Sequence, residues 1–596
     1  MTTTVEKTAI GIIIVLILVI IVITIYTFFC WLADRKRKLI DRECADIIII
    51  GAGTAGSVLG RRLHERHPHL KILIMERGQD RHADPKVYNI AKALEIAYNE
   101  PYSETIPTKV SAALAELEVK AEVSVARLTG GASSHNLGLV VRGSPDFYNG
   151  VWQDQLKLSY KDLDRKGGVF DRIACQMEIS ELPIDVNVLT RIGPVFKKAY
   201  GKYDAVEATR VLQRTATVAA NAGPLRAGDD FSDVLLKTLK KTRPTVKIVD
   251  DYNSGVEACA SKKPRLFVDG ILGIRSSSDV AYLSPSYLLR HHEAIQVGQH
   301  MTVTKIITST SKNSIACTGV EWTGVCGKSR LTTLNHGGRV ILCAGGIKSP
   351  LLLQESGIDV MTGLQKVIGR GLLNHYGCTL IFKTVTNFNF SSGPLAFVPD
   401  SRHQTESRRD WQMIVGGEIL TSPTLLQKVQ LTPDDANFIS MITWMMHPRA
   451  RGVVKSSCKG PQIRLKMFED GDLDDNKSDI YSAVQSLRWM YEVVKQMRRD
   501  KLFSGCHDDL VVVFPPEDVM QRDSSKELET WVKIGLSQTD HYAGTCALGK
   551  VVDPKDFTVY GTKNLHVVDA SVFPEISNGN TALPVLVMSE IAALRI

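Results

Sequence analysis

The sequence predicts a mixed α/β body behind one N-terminal membrane-spanning helix, on three observations. An uncharged apolar run opens the chain, a β-branched strand ends in a glycine-rich turn at Gly51, and short strand-like runs bounded by turns crowd the region after residue 376. The second observation implies an α/β domain with a parallel sheet, and the third an α+β domain with an antiparallel one.

The chain is long enough for this, with 596 residues against roughly 100–200 per domain. Charge, glycine and proline occur in ordinary proportions, which excludes a disordered or collagen-like chain. Its 11 cysteines are scattered and never form C-x-x-C, so neither a disulfide framework nor a zinc site is expected, and no metal. A net charge of +8 is mild, and no nucleic-acid partner is expected from it.

Residues 1–8 read as a short tail and 9–33 as the membrane helix. No residue from Thr8 to Ala33 is charged, and about 20 such residues cross a hydrocarbon core of roughly 30 Å. The run is too long for a signal peptide's apolar region and lacks its small-residue cleavage site. Arg35, Lys36, Arg37 and Lys38 follow it while only Lys7 precedes it, so the positive-inside tendency places the N-terminus outside and the body in the cytosol. The stem 34–44 reaches at most about 36 Å, keeping the body beside lipid headgroups, the natural partner of the basic run.

The first strand, Asp46 to Ile50, leads into Gly51-Ala-Gly53-Thr54-Ala55-Gly56 and a helical pattern from Ser57 to Leu63. A second strand, Lys71 to Met75, ends at Glu76, twenty residues beyond Gly56. Gly51 permits the tight turn, Gly53 lets backbone approach a pyrophosphate, and Gly56 lets helix and strand pack closely. Glu76 is placed to accept ribose hydroxyls. This is a Rossmann-type dinucleotide unit, and by itself it leaves FAD and NAD open.

Three further stretches carry a resemblance. They are Ala126-Arg127 through Gly130-Gly131-Ala-Ser-Ser134-His135-Asn136 to Pro145; Gly345-Gly346 to Pro350 with Ile368 to His375; and His541 to Cys546 with Val567 to Ser571 and Asn578 to Thr581. With the N-terminal fingerprint, they resemble the glucose–methanol–choline family of FAD oxidoreductases from about Cys44 to Ile596.

The resemblance implies FAD, held by Gly51, Gly53, Thr54, Ala55, Gly56, Glu76, Arg127, Gly130, Gly131, Ser134, His135, Asn136, Val303, Asp569, Ala570, Asn580 and Thr581. It implies His541 as the catalytic base and Asn580 as its partner. Oxidising an alcohol needs removal of the hydroxyl proton and hydride transfer to flavin N5. Imidazole suits the first task, the cofactor performs the second, and an amide donates to the developing alkoxide without competing as a base. His135 lies where choline-oxidising members carry a covalent flavin bond; the other reading is a polar packing residue near the flavin ring.

By the same resemblance, 45–150, 250–375 and 537–596 form the FAD domain from separated segments, and 151–249 with 376–536 the substrate domain. Strands are expected at Thr379–Val385, Trp411–Ile419, Phe438–Met445 and Gln462–Phe468, then an amphipathic helix carrying Ile480, Val484, Leu487, Tyr491 and Val494. The expected partners are a small alcohol or sugar and, for reoxidation, oxygen or another acceptor. Two other functions share the fold: a scaffold flavoprotein, such as a viral particle component, and a hydroxynitrile lyase.

Overall fold

The computed structural model describes residues 43–81, 84–180, 231–262, 264–268, 274–311, 314–384, 394–403, 405–416, 425, 438–500 and 510–596. The predicted membrane helix and all but the last residues of the stem lie outside the described residues. Among the described residues, no helix is long and apolar enough to cross a membrane.

Strand Cys44–Ile50 is almost fully buried, as its Ile-rich run requires, and pairs in parallel with Ile72–Met75 on one side and Ser329–Leu342 on the other. Ile295–Gly298 extends the sheet beyond Ile72–Met75, and Leu565–Val567 beyond Ser329–Leu342, both in parallel. Numbered by their order in the chain, the five parallel strands therefore lie 3-2-1-4-5. The order reverses between the first and fourth, and open α/β sheets bind ligands outside the carboxyl ends at that crevice. Those ends are Ile50–Gly51 and Leu342–Cys343. The other half of the long strand Ser329–Leu342 pairs antiparallel with Ser314–Thr323, which pairs with Thr302–Ser311. Helices Thr54–Arg66 and Ala582–Arg595 pack together in the core of this domain.

The second sheet runs Leu510–Phe514, Tyr376–Thr384, Phe438–Met445, Trp411–Gly416, Leu395–Val398, Cys259–Ser261, Lys247–Ile248. It is antiparallel except at its last pair. Side chains alternate with period two. Tyr376, Leu380, Phe382, Trp411, Met413 and Met441 face helix Asp479–Arg499 in one core, while Leu395, Phe397, Ile414, Ile442 and Trp444 face the other way. The helix begins at Ser478, whose hydroxyl accepts the Tyr481 N–H, and its apolar stripe supplies the cover.

Several expectations change. Gln462–Phe468 forms a strand only over Gln462–Arg464, in a separate three-stranded sheet with Gly452–Lys455 and Arg370–Leu372. Lys466 and Phe468 have φ of 59° and 58°, which no continuing strand adopts. Strand Trp411–Gly416 is observed, and 417–419 lie outside the described residues. The boundary expected at residue 151 falls inside the nucleotide-domain core: Trp152, Tyr160, Phe170 and Ile173 are buried there with Phe147 and Phe573. Residues 250–262, expected in that domain, supply a strand to the second sheet instead.

Candidate active site

The site is built where the glycine segments meet. The N–H of Gly130 donates to the carbonyl of Ala52 at 2.8 Å, laying the Gly130–Gly131 turn on the Gly51–Gly56 loop. A Cβ at Gly131 would stand 2.7 Å from the Gly53 Cα, and one at Gly51 2.6 Å from the Cys343 carbonyl oxygen. Both positions also have positive φ, so side chains are excluded twice over. Thr54, Ala55 and Gly56 open a helix whose Gly53 cap offers no side-chain acceptor, leaving first-turn amides for an anion.

Glu76 is buried at the end of its strand. Its carboxylate accepts the N–H of Ala52 at 3.0 Å and of Gly78 at 2.8 Å, which leaves lone pairs for ribose hydroxyls. Burial raises its pKa against these hydrogen bonds. Val303 lies on the neighbouring strand Thr302–Ser311, just beyond Met301, whose N–H donates to the Glu76 carbonyl.

The Gly130 turn is pinned from behind. The Ser134 hydroxyl donates to the Thr129 carbonyl at 2.9 Å, and the side-chain oxygen of Asn136 accepts from Gly138 and from Arg275. Arg275 is buried, donates to the carbonyls of Val87 and Asn136, and has its pKa lowered to about 9 by desolvation. His135 is buried beside it, and desolvation first, then the guanidinium, lower its pKa to about 4. Thr129 Oγ1, His135 Nδ1 and Arg275 Nη2 are buried without a hydrogen-bond partner. Buried polar atoms of this kind call for an acceptor or donor from outside the chain. With the glycine cradle and the open helix start, they fit a flat polar ring system joined to a pyrophosphate.

Two expected contact residues also have partners within the chain. The Arg127 side chain is half exposed and pairs with Glu100 at 3.5 Å. Asp569 spends its carboxylate on the protein: it accepts from the Gly345 N–H at 2.8 Å, the Ser349 hydroxyl at 2.5 Å and the Ser571 N–H at 2.7 Å. It ties the start of helix Gly345–Glu355 to the turn at Ala570.

That tie positions the chemical centre. The Gly544 N–H donates to the Ala570 carbonyl, and the Thr545 hydroxyl to the Gly346 carbonyl at 2.7 Å, fixing the His541 segment between the two. The His541 N–H donates to Asn374 Oδ1 at 3.0 Å. Its ring Nε2 lies 3.3 Å from Asn580 Nδ2, so the expected pair is brought together. Thr581 follows at the start of helix Ala582–Arg595, which no side chain caps.

Three more residues complete the centre: Asn374 and His375, which close one of the stretches that carry the resemblance but were given no role there, and Gln412, which sequence reasoning did not single out. His541 Nδ1 stands 2.8 Å from His375 Nδ1. One of the two nitrogens must carry a proton and the other a lone pair. Asn580 Nδ2 can only donate, so at 3.3 Å it meets a lone pair on His541 Nε2, and the proton of a neutral His541 sits on Nδ1. His541 Nδ1–H therefore donates to His375 Nδ1, which leaves the proton of a neutral His375 on its Nε2. Gln412, on the second sheet, donates through Nε2 to Asn580 Oδ1 at 2.9 Å, which turns the Asn580 Nδ2 toward that lone pair. Asn374 supports the His541 backbone. Desolvation lowers the His541 pKa to about 4 and holds that of His375 well below its ordinary value, so both rings are neutral near pH 7.

A neutral imidazole with one oriented lone pair beside an amide donor, at the mouth of a dinucleotide cradle, can take a hydroxyl proton. Family models described as GMC oxidoreductase match residues 45–377 and 448–589. The chain is 23% identical to "Glucose dehydrogenase [FAD, quinone]" of Drosophila pseudoobscura pseudoobscura, over 91% of this chain and 85% of that protein. It is 26% identical to "Pyranose dehydrogenase 3" of Leucoagaricus meleagris, over 92% of each. Its fold is similar to the crystal structure of pyridoxine 4-oxidase from Mesorbium loti, with a TM-score of 0.68 at 20% identity, covering 92% of this chain and 98% of that one. The chain belongs to the GMC oxidoreductase family.

Proposed function

We propose that the protein is a membrane-attached enzyme that oxidises the CH–OH group of a small alcohol or sugar. The observation that carries the chemistry is the chain of contacts Gln412, Asn580, His541, His375, which presents one unprotonated imidazole nitrogen beside one amide donor. Bound FAD supplies the hydride acceptor. The protein's part is to hold the substrate hydroxyl between His541 Nε2, which takes its proton, and Asn580 Nδ2, which donates to the alkoxide oxygen as charge develops. His375 keeps the Nδ1 proton of His541 in place, so the reactive nitrogen stays free until the substrate arrives. The second sheet reaches this centre through Gln412, which holds the Asn580 amide in place.

The names of the sugar-oxidising relatives support a polyhydroxy substrate. Anaerobic mixing with a panel of alcohols and sugars, followed by readmission of oxygen, tests this. Bleaching with rapid recolouring and peroxide marks an oxidase; bleaching with slow recolouring marks a dehydrogenase. No bleaching across the panel, with FAD bound, refutes the reading. His135, buried with an unpartnered Nδ1, is the candidate for a covalent flavin bond. Acid precipitation that leaves yellow flavin in solution refutes the bond.

Attachment is through the apolar segment 9–33, with the basic run after it on the cytosolic side. Asn389-Phe-Ser391 and Asn476-Lys-Ser478 are glycosylation sequons, and glycan on either overturns the cytosolic orientation.

A further inference from the structure

Gln412 uses one end of its amide and leaves the other bare. Its Nε2 donates to Asn580 Oδ1 at 2.9 Å, while its Oε1 is buried with no hydrogen-bond partner among the described residues. The side chain is fully buried in strand Trp411–Gly416, where it is paired with Phe397 on one neighbouring strand and Trp444 on the other. A bare acceptor in such a place is costly, and solvent does not reach it.

The partners available to this atom change when His541 takes a proton. With a lone pair on His541 Nε2, donation runs from Gln412 Nε2 to Asn580 Oδ1 and from Asn580 Nδ2 to His541 Nε2, across 2.9 and 3.3 Å. The proton taken from a substrate hydroxyl forms an N–H bond at Nε2. Once the product has left, two donors face each other across the 3.3 Å gap. Half a turn of the Asn580 amide sets Oδ1 against the new N–H and swings Nδ2 toward Gln412. When the Gln412 amide turns as well, that Nδ2 meets the bare Oε1. The terminal torsions of Asn and Gln are roughly two-fold, so each amide exchanges O and NH2 in place and the packed wall keeps its shape. Either arrangement contains two hydrogen bonds and leaves one Gln412 atom over, Oε1 before the turn and Nε2 after it. The amides themselves are balanced, and one proton on His541 decides between them.

We propose that Gln412 and Asn580 form a two-amide switch that reverses when His541 is protonated. The proposal rests on His541 being the base of the proposed oxidation. Reversal gives both N–H groups of the imidazolium an acceptor, His375 Nδ1 on one side and Asn580 Oδ1 on the other, in a site whose burial disfavours the charge. The proton is thereby kept at Nε2 after the product leaves. Reversal also withdraws Asn580 Nδ2 from the substrate oxygen, so the next alcohol is not held until His541 has given up its proton. Gln412 and Asn580 are thus positioning residues with two settings.

The test is infrared difference spectroscopy on the full chain with FAD bound, carrying 13C at the side-chain carbonyl of glutamine. The protein is reduced anaerobically by the member of the alcohol and sugar panel that bleaches it fastest. A bare amide carbonyl absorbs at higher wavenumber than a hydrogen-bonded one, so one glutamine band should move down as the flavin bleaches. The movement should be absent from Gln412→Leu, or from Gln412→Met where leucine lowers the FAD content, which assigns the band. It should also be absent from His541→Ala carried to full bleaching, where no ring receives the proton. Full bleaching of the wild type with no glutamine carbonyl moving overturns the switch and leaves the base standing. The same movement in His541→Ala, or in both Gln412 variants, overturns it as well. No bleaching across the panel, with FAD bound, overturns the oxidation and the switch with it.

Discussion

Replacing His375 by leucine isolates the histidine pair. The substitution fills a fully buried position with an apolar side chain of similar bulk and removes the acceptor 2.8 Å from His541 Nδ1. The Nδ1 proton is then a buried donor without a partner, which costs about 1–3 kcal/mol. Moving the proton to Nε2 relieves that cost but places it on the nitrogen that must accept the substrate proton. The competent tautomer is therefore disfavoured by the same amount, about a 5- to 150-fold loss in the rate of flavin reduction. Because His375 touches neither the Gly51 loop nor the Gly130 turn, FAD content should stay at the wild-type level. The assay is anaerobic stopped-flow reduction at saturating substrate, with the flavin spectrum recorded first. Glutamine at 375 can offer an oxygen to the Nδ1 proton and should recover part of the rate. A leucine variant that holds full FAD and reduces within about twofold of wild type would refute the tautomer argument.

Three other outcomes follow from the geometry. In Gln412→Leu, Asn580 loses the donor at 2.9 Å that fixes its amide, and flavin reduction should slow by roughly 5- to 30-fold, with the rate at saturating substrate affected more than KM. Gly131→Ala, which sets a Cβ 2.7 Å from Gly53, should lower the FAD-to-protein absorbance ratio, whereas Gly327→Ala, at a positive φ with open space around it, should leave the ratio unchanged. Burial holds His135 and His566 at about 4 against 6.5 for a free histidine, so the unfolded chain binds their protons first as pH falls. Stability is lost from about pH 6.5 down through pH 4, by about 3 kcal/mol for each ring. In denaturant melts across that range, His566→Gln should flatten the slope; an unchanged slope contradicts the assignment.

What the sequence showed and what it hid divide along the range of the contacts. Gly51, Gly53, Gly56 and Glu76 act within one strand–turn–helix–strand unit, so their spacing alone carries the geometry. His541 and Asn580 were found through motifs, and the structure brings them together. The other members of the centre come from far along the chain: His375 meets His541 across 166 positions, and Gln412 meets Asn580 across 168. Asn374-His375 closes a stretch that carries the resemblance, yet nothing local gives its histidine a role, and no motif includes Gln412. Gln412 does break the apolar run Trp411–Gly416 with a buried polar residue, and that is the one signal that could have been followed. Asp569 has a structural task that the sequence does not show. An acid after a strand looks like a ligand contact, and here three donors from its own chain also hold its oxygens. The nucleotide domain likewise recruited the helices after Pro145 because Trp152 packs on Phe573 near the other end of the chain, with Phe147 against Trp152 and Phe170 buried in the same core.

The central claim, that His541 is the base in the oxidation of a CH–OH group, meets its most direct test in one measurement. FAD-loaded wild type and His541→Ala are mixed anaerobically with the best substrate from the panel, and flavin bleaching is followed through a single turnover. The account predicts prompt bleaching of the wild type and a rate lower by about 10²–10⁴-fold in the variant, the range typical of general acid–base catalysis. Bleaching of His541→Ala at the wild-type rate, with its FAD intact, would contradict it.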